Sequence, residues 1–228
     1  MKRTNIFLLL VMVAVFFSCK KIDNYPYPNG AIYGKLIDIV TNESLQTEQP
    51  NGYSIKLFEK GGLMNAPITT SGKPDGTYEN SLIFQGQYKV IPCEGAFFPL
   101  DTVVTQVQAR TEVNFNVIPF LSVSNVTVTP GTGNVTANYK IGRNKVGDKI
   151  SERKTLVSAV PTVNNVVFNF KKETSLTAIA DDVILAANYT DVVTGLTSGK
   201  TYSVRICVRT NNSLKRYNYS KVFTVTIP

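Results

Sequence analysis

The chemistry open to this chain is limited first by what it lacks. Its 228 residues include 16 acidic side chains and no histidine. Nucleophile–base arrangements built on imidazole, and metal sites with imidazole ligands, are therefore excluded. Sixteen acids could in principle supply the carboxylate pair that glycoside hydrolysis uses. Asp181 and Asp182 adjoin in sequence, but adjacent side chains on a strand point to opposite faces. The expectation is a solvated pair in a loop, and no calcium-loop spacing surrounds it. No catalytic residue, metal site or cofactor is expected. The remaining reactive groups are three cysteines, Cys19, Cys93 and Cys207. Cys93 and Cys207 fall in separate predicted domains without a cysteine framework, so both are expected as free structural thiols.

Cys19 stands in a different context. Met1-Lys2-Arg3-Thr4-Asn5 is a short basic segment, and Ile6 to Phe17 is an apolar run of twelve residues. A spanning helix needs about 20 residues, so this run suits the core of a signal peptide instead. Ser18 then precedes Cys19. A small residue before cysteine at the end of such a core resembles the lipobox of bacterial lipoproteins, and Phe-Ser-Cys resembles its form in the Bacteroidetes. The resemblance implies cleavage after residue 18 and a diacylglyceryl group on the Cys19 thiol. Two or three acyl chains hold a protein firmly, at about 0.8 kcal/mol per buried methylene. The expected address is the outer membrane, lipid-anchored, at the cell surface. For an exported protein of this kind, Asp101-Thr102-Val103 resembles a short O-glycosylation signal, which makes Thr102 the expected glycan-bearing hydroxyl.

Loss of residues 1–18, which hold Lys2, Arg3 and no acid, takes the formal charge from +8 to +6. The cations are scattered, and nucleic-acid binding needs a clustered patch, so nucleic acid is not an expected partner. Carbohydrate binding uses exposed aromatic faces. The chain has 11 Tyr, 12 Phe and no Trp. Tyr25, Tyr27, Phe97, Phe98, Tyr217 and Tyr219 are the stacking candidates, with packing or partner contact weighed ahead of sugar at each. Ser203, Arg205, Cys207 and Arg209 share the outward face of a predicted strand, expected to face water, with a contact surface for a partner or an anionic ligand as the alternative.

These residues must be positioned by strands. Ile32 to Ile39 is rich in β-branched and aromatic types. Tyr53, Ile55 and Leu57 alternate with polar neighbours, as do Val113, Phe115 and Val117. Gly76-Thr77-Tyr78 and Gly86-Gln87-Tyr88-Lys89-Val90 each lead from a turn into a strand, and Thr102 to Val107 is another β-rich run. After Ile118-Pro119-Phe120 the pattern resumes at Ser122 to Thr129. It continues through Val135 to Ile141, Val166 to Phe170, Tyr202 to Val208 and Phe223 to Ile227. A short helical turn is expected somewhere in Thr174 to Ala187. Strands at this spacing, parted by Gly and Pro turns, predict an all-β protein of two consecutive β-sandwiches. The divisions are residues 1–18, a signal peptide; 19–29, a lipidated tether with alternating prolines; 30–118, a first sandwich; and 119–228, a second.

The first block, through Gly34-Lys35-Leu36-Ile37-Asp38, Asp75-Gly76-Thr77-Tyr78 and Gly86-Gln87-Tyr88-Lys89-Val90, resembles transthyretin-like or carboxypeptidase-regulatory sandwiches. The second resembles fibronectin type III or immunoglobulin-like domains. Leu196-Thr197-Ser198-Gly199-Lys200-Thr201-Tyr202 matches their tyrosine corner, and Tyr139 stands where many place a core tryptophan. With the lipobox, Gln46-Thr47-Glu48-Gln49 and the Arg205-to-Tyr219 stretch, the whole chain resembles a Bacteroidetes lipoprotein family, the domain of unknown function 3823. That resemblance implies a non-enzymatic accessory of starch-utilisation-type glycan capture, with the membrane, a glycan or an outer-membrane transporter complex as partners. A structural surface or adhesion protein is the alternative.

Overall fold

The computed structural model describes residues 26–61 and 66–228. Residues 1–18, Cys19 and Tyr25 lie outside the described residues. The body is all-β. In the first sandwich, β1 (Gly30–Asp38) lies between β4 (Thr77–Ile83), antiparallel, and the short parallel strands β7 (Thr111–Glu112) and β8 (Phe115–Val117). The facing sheet has the order β3 (Ile68–Ser71), β2 (Ser54–Glu59), β5 (Gly86–Cys93), β6 (Val103–Val107), all antiparallel. Alternation sends Ile32, Leu36, Ile55, Leu57, Tyr88, Val90, Phe115 and Val117 into one core. Gly34 is required where β1 meets the approach to β8. A Cβ there would lie 1.9 Å from the Val113 carbonyl oxygen.

The second sandwich packs β13 (Asn188–Thr194), β10 (Asn134–Gly142) and β9 (Ser122–Gly131) against a second sheet. That sheet runs β12 (Phe170–Ser175), β11 (Ile150–Ser158), β14 (Thr201–Thr210), with β15 (Asn218–Tyr219) and β16 (Phe223–Thr226) both pairing β14. The expected helical turn is realised as α1, Asp181–Ala186. Tyr202 accepts a hydrogen bond from the Thr197 amide at 3.2 Å, closing the tyrosine corner. Tyr139 is buried in a polar plug. Its hydroxyl donates to Asp191 Oδ2 at 2.8 Å, Thr155 Oγ1 donates to the same oxygen at 2.8 Å, and Arg153 pairs with Asp191. Arg153 lies 4.6 Å from the Tyr189 ring centroid.

Three expectations are corrected. Of Val166, Phe168 and Phe170, only Phe170 belongs to a strand, because residues 159–169 loop over the sheet instead. Asp181 is not a solvated loop residue. It opens α1 and is bound by Arg143 at 2.8 Å, by Lys149 and by the Ile150 amide, while Asp182 is exposed. The face of β14 expected to be wet is covered, for reasons given below.

Strand directions segregate the loops of the first sandwich. The entry to β1, the β4–β5 turn, the end of β2, the start of β3 and the β6–β7 link gather at one end. The β1–β2, β3–β4 and β5–β6 loops and the exit from β8 gather at the other, where the second sandwich docks. An isolated bridge between Phe97 and Pro119 ties the exit to the β5–β6 loop.

Candidate functional site at the junction of the two sandwiches

The junction is built from β14, β15 and three loops of the first sandwich. On β14, Tyr202, Val204, Ile206 and Val208 face the inter-sheet core. Ser203, Arg205, Cys207 and Arg209 face the other way, beside Leu156, Lys154 and Glu152 of β11. This second face is closed by the 161–168 loop and by Tyr217 and Tyr219, which form a small core with Leu156, Val163 and Cys207. Ser203, Arg205 and Cys207 are buried and Arg209 is half-buried.

Burying so many charges demands partners. Arg205, 2% exposed, stacks on the Tyr219 ring at 4.4 Å and donates from Nε to the Ser220 carbonyl at 3.0 Å. Desolvation lowers its pKa, with Tyr219, Cys207 and Glu48 opposing. The Tyr219 hydroxyl donates to the buried carboxylate of Glu48 from the first sandwich. Burial pushes that hydroxyl far above the usual tyrosine value. Farther along the face, Glu152 accepts from Arg209 Nε at 2.8 Å and from the Tyr217 hydroxyl, with Lys154 at 3.5 Å. Burial alone would raise the Glu152 carboxyl. The hydrogen bonds from Tyr217 and Arg209, helped by Glu173 and the Lys154 charge, bring it down to about 2. Lys154 and Arg209 lie 5.1 Å and 5.4 Å from the Tyr217 ring centroid. These acids are engaged by cations and hydroxyls, an arrangement that holds structure and leaves no carboxyl positioned for proton transfer.

Asn218 fastens the sandwiches together. It is 3% exposed, accepts from the Leu121 amide at 3.0 Å, and donates to the Ala96 carbonyl of the first sandwich at 2.8 Å. Arg216 Nε donates to the Glu94 carbonyl at 2.9 Å, and Lys221 pairs with Glu43 at 2.8 Å. Phe98 meets Phe120 edge-on at 5.1 Å. Beside these contacts lies a cleft of about 260 Å³ lined from both sandwiches by Thr41, Glu43, Gln46, Ser122, Asn125 and Lys221, among others. A second hollow of about 210 Å³, lined by Gln46, Asp75 and Arg205, opens on the same junction. Both concavities have mainly apolar walls set with a few hydroxyl, amide and charged groups, which could orient a bound ligand.

The sequence candidates are placed as follows. Thr102 is exposed immediately before β6. Tyr27 is 75% exposed, whereas Phe97, Tyr217 and Tyr219 are buried and serve packing. Phe98 is half-buried under Lys145. Cys93 and Cys207 are free thiols, and desolvation raises both. Among the described residues no group of three acidic or cysteine side chains is placed to hold a metal ion, and no helix is long and apolar enough to cross a membrane. Sequence reading missed Glu48, Asn218 and the β11 charges as junction elements. Their partners are far away in the chain, so local pattern carried no signal beyond the resemblance of the Gln46–Gln49 segment.

Comparison with known proteins agrees with this architecture. Residues 30–118 match the family model described as "Protein of unknown function (DUF3823) N-terminal domain". No curated protein matches the chain. Among solved structures, a protein of Bacteroides uniformis described as a "putative carbohydrate binding protein" is 25% identical, with a TM-score of 0.75. The match covers 88% of this chain and 100% of that one. A DUF3823 family protein from the same species is 24% identical at TM-score 0.76, and one from Parabacteroides merdae is 21% identical at 0.75. Each of these two matches also covers 88% of this chain and 100% of the other. The N-terminal sandwich, residues 30–118, thus matches the DUF3823 N-terminal domain, and over both sandwiches the chain is similar in fold to solved DUF3823 family proteins.

Proposed function

We propose that this chain is a non-catalytic outer-membrane lipoprotein, anchored through Cys19, that captures carbohydrate for a glycan-uptake system of the starch-utilisation type or braces its transporter complex. The observation that carries the reading is the likeness, over 88% of this chain, to the Bacteroides uniformis protein named for carbohydrate binding. The junction cleft gives it a physical basis. Hydroxyl, amide, carboxylate and ammonium groups converge from two sandwiches on one concavity. The absence of histidine, and the commitment of Glu152, Asp181 and Asp191 to cations, support a binding role over turnover.

Affinity electrophoresis through gels containing soluble polysaccharides tests the binding reading. Retardation by at least one glycan is expected. Glu43→Ala and Lys221→Ala should reduce it, because both groups line the cleft. No retardation across plant, fungal and host polysaccharides would remove carbohydrate capture. The anchor is tested separately: Cys19→Ala should move the native protein from the membrane to the soluble fraction.

A further inference from the structure

The end of the first sandwich opposite the junction carries apolar side chains that the fold leaves unused. Leu82 is 61% exposed and Phe84 38% exposed at the β4–β5 turn. Tyr27 is exposed just before β1. These residues come together because Gly30 pairs with Ile83 and the Gln85 amide reaches the Asn29 carbonyl. Exposed cations flank them. Lys60 follows β2, Lys89 lies on the outer face of β5, and Arg110 in the β6–β7 link lies over the Tyr33 ring at 4.4 Å. Glu59 at the end of β2 and Glu112 in β7 are the acids here, so the three cations leave the cluster one net positive charge.

We infer that this end of the first sandwich is a lipid-facing surface that sets Leu82, Phe84 and Tyr27 into the headgroup region of an anionic bilayer. The inference rests on the anchor reading above, and covalent geometry links the two. Cys19 and Pro26 are seven residues apart in sequence. Seven residues span about 25 Å at most. A lipidated Cys19 therefore holds this end, and not the junction end, within that distance of the membrane. Lys20 and Lys21 add two cations directly beside the anchor. Aromatic residues with a polar tip favour the bilayer interface, and each cation near an anionic surface adds to the attraction. Apolar groups that are idle in water thus gain burial once the anchor brings them close. The second sandwich and its junction cleft then point away from the bilayer.

The test replaces the lipid by an artificial tether, so that it stands whether or not Cys19 is acylated. A chain starting at residue 20 and carrying an N-terminal histidine tag is bound to nickel-chelating lipid. The vesicles are phosphatidylethanolamine and phosphatidylglycerol with brominated acyl chains. An environment-sensitive fluorophore is placed at Gln85→Cys, or at Ser198→Cys in the far turn of the second sandwich, both with Cys93→Ser. Several-fold stronger quenching at position 85 than at position 198 is expected. The double change Leu82→Asp, Phe84→Asp should bring the two to the same level while leaving the circular dichroism spectrum unchanged. Equal quenching at both positions in the unaltered tip overturns the lipid-facing surface. So does quenching that survives the double change. Acylation itself is read independently, from the fractionation of Cys19→Ala.

Discussion

Asn218→Ala probes the junction most directly. The Asn218 side chain is nearly inaccessible and spends both ends of its amide on backbone groups, the Leu121 N–H and the Ala96 C=O. Alanine leaves a buried donor and a buried acceptor without partners. Each such group costs about 1–3 kcal/mol, and small compensating shifts bring the expected loss to about 3 kcal/mol. In a body of this size, 1 kcal/mol moves Tm by about 2–4 °C, so a fall of roughly 6–12 °C is expected by differential scanning calorimetry. Urea unfolding followed by tyrosine fluorescence should give the same free energy. Asn218→Asp keeps an acceptor for Leu121 but sets a carboxylate against the Ala96 carbonyl, so it should be at least as damaging. Asn144→Ala, at an exposed position, should stay within about 0.5 kcal/mol of the parent. If Asn218→Ala also stays within that margin, the buried junction is not what holds the sandwiches together, and the reasoning fails.

Acid should weaken the second sandwich through Glu152. Its folded carboxyl sits at about 2 against an ordinary 4.5. A depressed carboxyl contributes stability above 4.5 and loses it as pH falls from 4.5 through 2, at most about 3 kcal/mol over that interval. Urea midpoints at pH 6, 4 and 2.5 should trace that fall, and Glu152→Gln should flatten it; an unchanged acid slope in the variant would assign the loss to other groups. Gly34→Ala should destabilise by about 3 kcal/mol or more, since β1 and the approach to β8 cannot part for a methyl group without breaking pairing; a stable, soluble variant by circular dichroism would refute the contact. Cys93 should react with a disulfide reagent in the native state before Cys207, whose thiol is fully buried and raised by desolvation. Rapid release of two equivalents from native protein beginning at residue 20 would contradict the buried outer face of β14.

Legibility in the sequence followed the sidedness of each strand. β1, β2, β8 and β10 each bury one face, so alternation marks Ile55 and Leu57, Phe115 and Val117, and Val135 through Ile141 without ambiguity. β11 reads as Ser-Glu-Arg-Lys-Thr, which resembles no strand. It is central all the same. Arg153 and Thr155 turn inward to meet Asp191, while Glu152 and Lys154 turn outward under Tyr217. Polar residues there are buried by partners far along the chain, and a local pattern cannot register such partners. Tyr217 and Tyr219 pack, the reading weighed ahead of sugar stacking. Near the chain end, between charged residues, they look available for stacking, yet the fold closes them over β14. The cleft was invisible for the same reason, because Glu43 and Lys221 face each other across 178 residues of sequence.

The polar character of the junction bears on how it would bind. An apolar interface tolerates sliding, because dispersion contacts have little direction. Here the contact runs through Asn218 to two backbone groups, Arg216 to Glu94, and Tyr219 to Glu48. Hydrogen bonds weaken steeply away from their preferred angles, and a buried charge that loses its partner costs several kcal/mol. A hinge motion large enough to remodel the cleft would break several of these bonds together. The two sandwiches therefore present a cleft whose walls are already formed. Under the proposed carbohydrate reading, the shape of the walls and not a closing motion would select the saccharide, while Glu43 and Lys221, both more than half exposed, keep the side-chain freedom to adjust to it.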